Sequence, residues 1–309
     1  MKRSTGTWLA VGSAAVVLAA VATFVLLNQD GAPGASQAPS ATPEVTPGAT
    51  LNEEMLSQRL TVLLLGLDSN ARRQQRGRGL NTDTIMLASV SADQSEVTVV
   101  SLPRDTVDLP MPDGRTWDAK VNAIHAVEGV DTLVGVMEEL YQVPIDGYAQ
   151  IDMDDMAALV DAVGGVRVAP PQPLVDPIVK LDIPAGPQRL DGTTAMAYMR
   201  SRADTDYNRA ARQQEVLQEI MRRLLRPATD VNVAEFFSGL RSFETNLPLD
   251  DLPTLVEIVR RARDAEVTGE VLGPPDYILF EGLADGRGYI IEPNIEAIRA
   301  FIAQHITDG

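Results

Sequence analysis

The chain has 309 residues, a formal charge of −17 and a pI near 4.5, with two histidines and no cysteine. So acidic a balance opposes nucleic acid as a general partner, because duplex binding rests on broad neutralisation of phosphates. Disulfides are excluded, and His125 and His305 are too few for a zinc site and read as structural or surface histidines, so stability must come from a packed core.

At the N-terminus, Met1-Lys2-Arg3 precedes an uncharged apolar run from Thr7 to Leu27. As a helix that run spans roughly 30 Å, the thickness of a bilayer's hydrocarbon core. It predicts residues 1–6 as a short cytoplasmic N-terminus and 7–27 as a single-pass transmembrane anchor. Lys2 and Arg3 stay inside and everything after Leu27 lies outside. Ala20-Val21-Ala22 also has the small-x-small form of a signal-peptide cleavage site. The apolar run continues through Phe24-Val25-Leu26-Leu27, which favours an uncleaved anchor, and both readings export the remainder of the chain. Residues 28–50 are mostly Ala, Pro, Ser, Gly and Thr, a composition that cannot bury a core and reads as a linker. With no second linker and no internal repeat, residues 51–309 read as one extracellular domain.

Leu60 to Leu67 is a continuous apolar run bounded by Asp68-Ser69-Asn70, as expected of a strand buried on both faces. Thr84 to Val90 and Glu96 to Leu102 read as two further strands joined by a polar turn over Ser91 to Ser95. Apolar stripes predict helices over Gly129 to Tyr141 and Asp152 to Val163, the second ended by Gly164-Gly165 before Val166-Arg167-Val168. Ala195 to Arg202 reads as a strand or a tight approach to one, and a helix follows from about Arg209 to Leu225. Phe236 to Arg263 and Asn294 to Ile306 add helices. Strands alternating with helices imply an α/β fold with helices on both faces of a central sheet.

Chemistry concentrates where these elements begin and end. Seven arginines lie between Arg200 and Arg226 against four acidic residues, Asp204, Asp206, Glu215 and Glu219, so the local charge is opposite in sign to the whole. Guanidinium forks bind phosphate oxygens in pairs and keep their protons, which marks phosphate or pyrophosphate as the ligand; a salt-bridged helix face is the alternative. Arg200 and Arg202 share a face if the backbone is extended, and Arg209, Arg212 and Gln213 share a helical face. Asp68 closes the first strand and Asp83 opens the second, so two carboxylates at one sheet edge are positioned for Mg²⁺ beside a phosphate, or act as turn caps. Arg72, Arg73, Arg76 and Arg78 lie in the loop between them, as ligand cover or as solvated surface. Arg104 and Asp105 follow Pro103 at the end of the third strand, where they suit a phosphate clamp and a general base or form a local ion pair. Lys120, in Lys120-Val121-Asn122-Ala123, adds a cation.

The ordered set resembles the LytR-CpsA-Psr family. It comprises Gly66-Leu67-Asp68-Ser69, Thr82-Asp83-Thr84, Pro103-Arg104-Asp105, Lys120-Val121-Asn122-Ala123, Val163-Gly164-Gly165-Val166, Leu190-Asp191-Gly192, Tyr198-Met199-Arg200-Ser201-Arg202 and Asp206-Tyr207-Asn208-Arg209 through Arg212-Gln213-Gln214. The motifs run from about Thr61 to Leu225. The resemblance implies an α-β-α sandwich with a central mixed sheet, behind one N-terminal transmembrane helix. It also implies a hydrophobic tunnel with a pyrophosphate site at its mouth. The activity implied is that of a membrane-anchored extracellular phosphotransferase. It moves a glycopolymer such as teichoic acid from a polyprenyl pyrophosphate carrier to a peptidoglycan hydroxyl. By position, Asp68 and Asp83 would hold Mg²⁺. Arg104, Lys120, Arg200, Arg202, Arg209, Arg212 and Gln213 would bind the pyrophosphate, and Asp105 would activate the acceptor hydroxyl. Asn81, Asn208 and His125 depart from common family residues: Asn81 would remove one phosphate contact, for which the arginines of the 72–78 loop could substitute, and none of the three abolishes that core. Two other classes use overlapping groups: a polyprenyl pyrophosphate hydrolase, and a non-catalytic polyprenyl-phosphate carrier or sensor that would retain the arginines without needing Asp68, Asp83 or a base.

Overall fold

The apolar run from Leu60 to Leu67 forms β1, and its two neighbours are β2 (Thr82–Val90) and β3 (Glu96–Ser101). All belong to a computed structural model that describes residues 51–69, 81–224, 244–248, 251–284 and 286–306. The predicted N-terminus, anchor and linker (1–50) lie outside the described residues, as do Arg72, Arg73, Arg76 and Arg78. Among the described residues no helix is long and apolar enough to cross a membrane.

Three further strands complete a six-stranded sheet: β4 (Gly147–Ile151), β5 (Glu244–Thr245) and β6 (Glu266–Val271). The order is β5-β4-β1-β2-β3-β6. β1 pairs antiparallel with β2 and parallel with β4, while β3 pairs antiparallel with β2 and parallel with β6, so the sheet is mixed. A separate hairpin, β7 (Ile278–Ala284) and β8 (Gly288–Pro293), stands beside it.

Strand alternation sends side chains to opposite faces. Val62, Leu64, Met86 and Ala88 turn to one face, covered by α2 (Met153–Ala162), α3 (Gly192–Arg200), α4 (Asp206–Leu224) and α5 (Leu252–Arg261). Leu63, Leu65, Ile85 and Leu87 turn to the other, against α1 (Val130–Tyr141) and α6 (Ile295–His305). Each such side chain contributes about 1.5–3 kcal/mol when fully buried. His305 belongs to this packing, its ring stacked on Phe301 with centroids 4.2 Å apart.

Two expected elements differ. Ala195 to Arg200 is helical rather than extended: Asp191 caps the start of α3 by accepting from the Thr194 amide at 2.7 Å, and Ala195, Tyr198 and Met199 are buried on one side. The helix expected over Phe236 to Arg263 lies partly outside the described residues. Within them, Glu244–Thr245 pairs with β4, and helix begins only at Leu252. A Pro at position 253 suits the first turn of α5, where its missing N–H costs nothing.

Candidate active site

Asp83 owes its position to a register shift. Gly66 pairs with Thr84 and Leu67 with Thr82, so Asp83 is the extra residue of a bulge in β2. Gly66 permits it, because a Cβ there would fall 2.8 Å from the Thr84 Cβ. Asp68 lies just past the end of β1, its amide donating to the Asn81 carbonyl at 2.8 Å. Both carboxylates line one cavity of about 930 Å³, its open mouth included. Most of its wall is apolar, built from Leu64, Ile151, Met156, Leu159, Met196 and Leu217, and one end carries Asp68, Asp83, Arg200, Arg209 and Gln213.

A charged cluster surrounds that end. Arg104 donates through Nη1 to Asp83 Oδ1 at 2.6 Å, and its Nε lies 3.7 Å from Asp105 and 3.9 Å from Asp206. Burial opposes the Arg104 charge, but these three carboxylates outweigh it and hold its pKa above the usual guanidinium value. Arg209, 4 % exposed, pairs with Asp206 at 2.9 Å. Its pKa is pushed down by burial, and Arg104 and Arg202 add repulsion. The buried Nε atoms of Arg104 and Arg209 have no hydrogen-bond acceptor among the described residues. Buried donors left without an acceptor cost free energy, so each of these two ion-paired guanidinium groups keeps a donor that its carboxylate partners do not satisfy.

Arg200 ends α3 with its side chain exposed at the cavity mouth and no ion pair among the described residues. Ser201 is extended, which turns Arg202 to within 3.8 Å of Asp83. Both arginines therefore reach the site, through a helix end rather than along a strand. Lys120 pairs with Asp105 at 2.7 Å, and Gln213 lines the cavity wall. Arg212 is the exception. Its guanidinium donates to the Tyr198 and Ser201 carbonyls at 3.0 and 2.7 Å and to Asp204 at 2.7 Å. Its donors are engaged away from the cavity, and it fixes the end of α3 that presents Arg200 and Arg202.

An apolar cavity with arginines and paired carboxylates at its mouth, set on a mixed sheet, is matched in sequence as well: the model of the LytR_cpsA_psr family covers residues 25–274. The chain belongs to the LytR_cpsA_psr family. It is 40% identical over 154 residues to the probable cell wall biosynthesis protein LcpB of Corynebacterium glutamicum, covering 49% of this chain and 36% of that one. It is 32% identical over 208 residues to the polyisoprenyl-teichoic acid-peptidoglycan teichoic acid transferase TagU of Enterococcus faecalis, covering 65% and 66%. The chain thus spans between about a third and just under two thirds of these relatives' length. The crystal structure of Bacillus subtilis TagV superposes with a TM-score of 0.64 at 23% identity, over 81% of this chain and 98% of that one. That likeness shows the α/β fold with its central mixed sheet.

Asp206 is a member of the cluster that sequence reasoning did not assign to the site. It hydrogen-bonds to Asp105, and the two carboxyls diverge: burial and the bond to Asp105 raise Asp206, against the pull of Arg209 and Arg104. Asp105 is lowered; burial works against this, but Lys120, Arg104 and the bond from Asp206 prevail. The place of Asp206 in the first turn of α4, three residues before Arg209, was the available signal. His125 has a structural partner, Gln150 Oε1 at 2.8 Å.

Proposed function

We propose that this protein is a membrane-anchored extracellular phosphotransferase. It would move a sugar phosphate from a polyprenyl pyrophosphate carrier to a peptidoglycan hydroxyl. The observation that supports this reading is the joining of an apolar cavity to a charged end where Arg200 is exposed and the buried Nε atoms of Arg104 and Arg209 have no acceptor among the described residues. The first would take an apolar chain and the second a pyrophosphate. A relative such as TagU, named as a teichoic acid transferase, is consistent with it. The apolar run over 7–27 would hold the domain at the membrane that supplies the lipid.

Arg200, Arg202 and Arg209 would bind the pyrophosphate oxygens, with Arg104 and Lys120 beside them and Gln213 on the wall. The acceptor oxygen forms a bond to the sugar-linked phosphorus, and the bridging P–O bond breaks with its electron pair going to polyprenyl phosphate. The acceptor's proton passes to a carboxylate. In its ionised form Asp206 suits that role better than Asp105, which is already committed to Lys120, and its raised pKa makes it the stronger base of the two. Arginine donors fixed beforehand would stabilise the charge that develops on the phosphoryl oxygens.

Asp68 and Asp83 fit Mg²⁺. Two carboxylates at adjacent strand ends facing one cavity are the usual protein share of such a site, with phosphate and water supplying the rest. Arg104 takes Oδ1 of Asp83, while Oδ2 has Arg202 at 3.8 Å. The ion would neutralise phosphate charge. Transfer from a polyprenyl pyrophosphate-linked sugar to peptidoglycan oligomers, assayed with Mg²⁺ and with EDTA, tests the reading. Product that needs the metal and Asp83 supports it, and release of sugar phosphate to water alone would make the protein a hydrolase instead.

A further inference from the structure

The β7–β8 hairpin is held against the charged cluster at two places. Ile291 accepts from the Val107 amide at 3.0 Å and donates to the Asp105 carbonyl at 3.1 Å, so β8 is bonded to the backbone that carries Asp105. Near the turn, Arg287 pairs with Asp108 at 3.0 Å. The hairpin therefore keeps a fixed orientation to the site.

One face of it carries an unusual set of side chains. Leu283 pairs with Tyr289 and Glu281 with Ile291, which puts Glu281, Leu283 and Tyr289 on a common side. Tyr207, next to Asp206 in α4, donates its hydroxyl to Glu281 Oε2, and Tyr289 bonds the same carboxylate. Glu281, Leu283 and Tyr289 are exposed, Leu283 at 83 % and Tyr289 at 41 %. Tyr207, which bonds Glu281, directly follows Asp206 in α4, so the hairpin and the carboxyl pair meet there. None of the four lines the apolar cavity.

We propose that Tyr207, Glu281, Leu283 and Tyr289 form the subsite for the acceptor sugar of a peptidoglycan glycan strand. This rests on the transferase reading. In a displacement at phosphorus the entering and leaving oxygens lie roughly in line. The leaving polyprenyl phosphate belongs to the cavity, so the acceptor enters from the opposite side, past Asp206 and along the hairpin. A pyranose ring has an apolar C–H face and an equatorial rim of hydroxyls. The Tyr289 ring and Leu283 offer an apolar surface to the face, and Glu281 accepts from the rim. Two tyrosine hydroxyls clasp Glu281, so its position is set before the sugar arrives, which lowers the ordering cost of binding.

The test titrates the full chain in detergent with a GlcNAc-MurNAc tetrasaccharide by saturation-transfer NMR, and in parallel measures transfer kinetics. Tyr289→Ala is expected to weaken tetrasaccharide binding and raise the acceptor KM by roughly tenfold, about 1.4 kcal/mol. Tyr289→Phe, which keeps the ring, should stay within about threefold on the same scale. Glu281→Gln should behave like the alanine variant more than the phenylalanine one. Absence of tetrasaccharide binding by the wild type overturns the subsite, as does an unchanged acceptor KM in Tyr289→Ala. An effect confined to the donor KM overturns it as well, by placing the hairpin on the donor side. Binding that responds to Tyr289→Ala in a protein that transfers to no acceptor would sustain the subsite and refute the transferase.

Discussion

The two faces of the sheet are built from the same strands and put to different uses. Toward α1 and α6, Leu63, Leu133, Met137, Ile298 and Ile302 are completely buried in one apolar cluster. Toward α2, α3 and α4, methionines and leucines of comparable size stop short of closing and leave the cavity. Filled interiors gain dispersion and transfer energy, whereas an apolar cavity forgoes some of it and keeps room for a ligand. Methionine suits such a wall, since its flexible thioether adapts to an irregular guest.

Substitutions on the two faces should therefore have opposite signatures. The largest effect belongs to the mouth of the open face: Arg200→Ala or Asp83→Ala is expected to cut the rate of transfer by about 10²–10³ while thermal unfolding stays near wild type. On the closed face the pattern reverses. Leu63→Ala should cost about 2–5 kcal/mol in denaturant unfolding, with donor KM unchanged for the folded protein. Met196→Trp, which fills the open side, should weaken long-chain polyprenyl donors by about tenfold. A short-chain donor should be affected much less, and equal losses for both would show that the cavity does not hold the lipid.

Proton transfer distinguishes the mouth from the rest of the molecule in another way. With Asp206 raised above an ordinary carboxylate, activity should fall as pH drops through its pKa, in a limb lying above the ordinary carboxylate range near 4. Asp206→Asn should remove that limb and lower the rate about 10²–10⁴-fold. Retention of the limb would assign it to another group. The smallest effect is expected far from the site, at Glu257, whose carboxyl is held down at about 2 by Arg260, then Arg261, against the effect of burial. A depressed carboxyl stabilises the fold above its unfolded pKa and loses that contribution as pH falls toward its folded value. Glu257→Gln should therefore lower Tm by about 2–4 °C at pH 7, and the difference should vanish by about pH 2.

Much of this can be read from the residues alone. β1 reads directly as a buried strand because its apolar run has no period to confuse, and the stripe of α1 is equally plain. The reversal of local charge at the arginines, on which the proposed anion site rests, is also plain in the sequence. What escaped is what depends on neighbours distant in sequence. Arg212 has the same spacing on α4 as the site residues, but only the fold reveals that its donors meet the end of α3. α3 reads as extended through its last residues because Ser201 is so, while the Asp191 cap that starts the helix lies four residues upstream of that stretch. Asp206 looks like a counter-charge until Asp105, a hundred residues earlier, is brought against it. The hairpin carries no periodic signal, and its link to the site runs through the Tyr207–Glu281 bond across 74 positions.

If the mouth and the cavity act together on one lipid-linked donor, the decisive measurement is transfer of a radiolabelled sugar phosphate from a long-chain polyprenyl pyrophosphate to peptidoglycan oligomers. It would use the full chain and its Arg200→Ala variant, with Mg²⁺ and with EDTA. Labelled peptidoglycan that requires Mg²⁺ and Arg200 is the expected result. Tight binding of the donor with neither transfer nor hydrolysis, whatever the acceptor or metal, would contradict the joint action of mouth and cavity in catalysis and leave a carrier or sensor of polyprenyl phosphates.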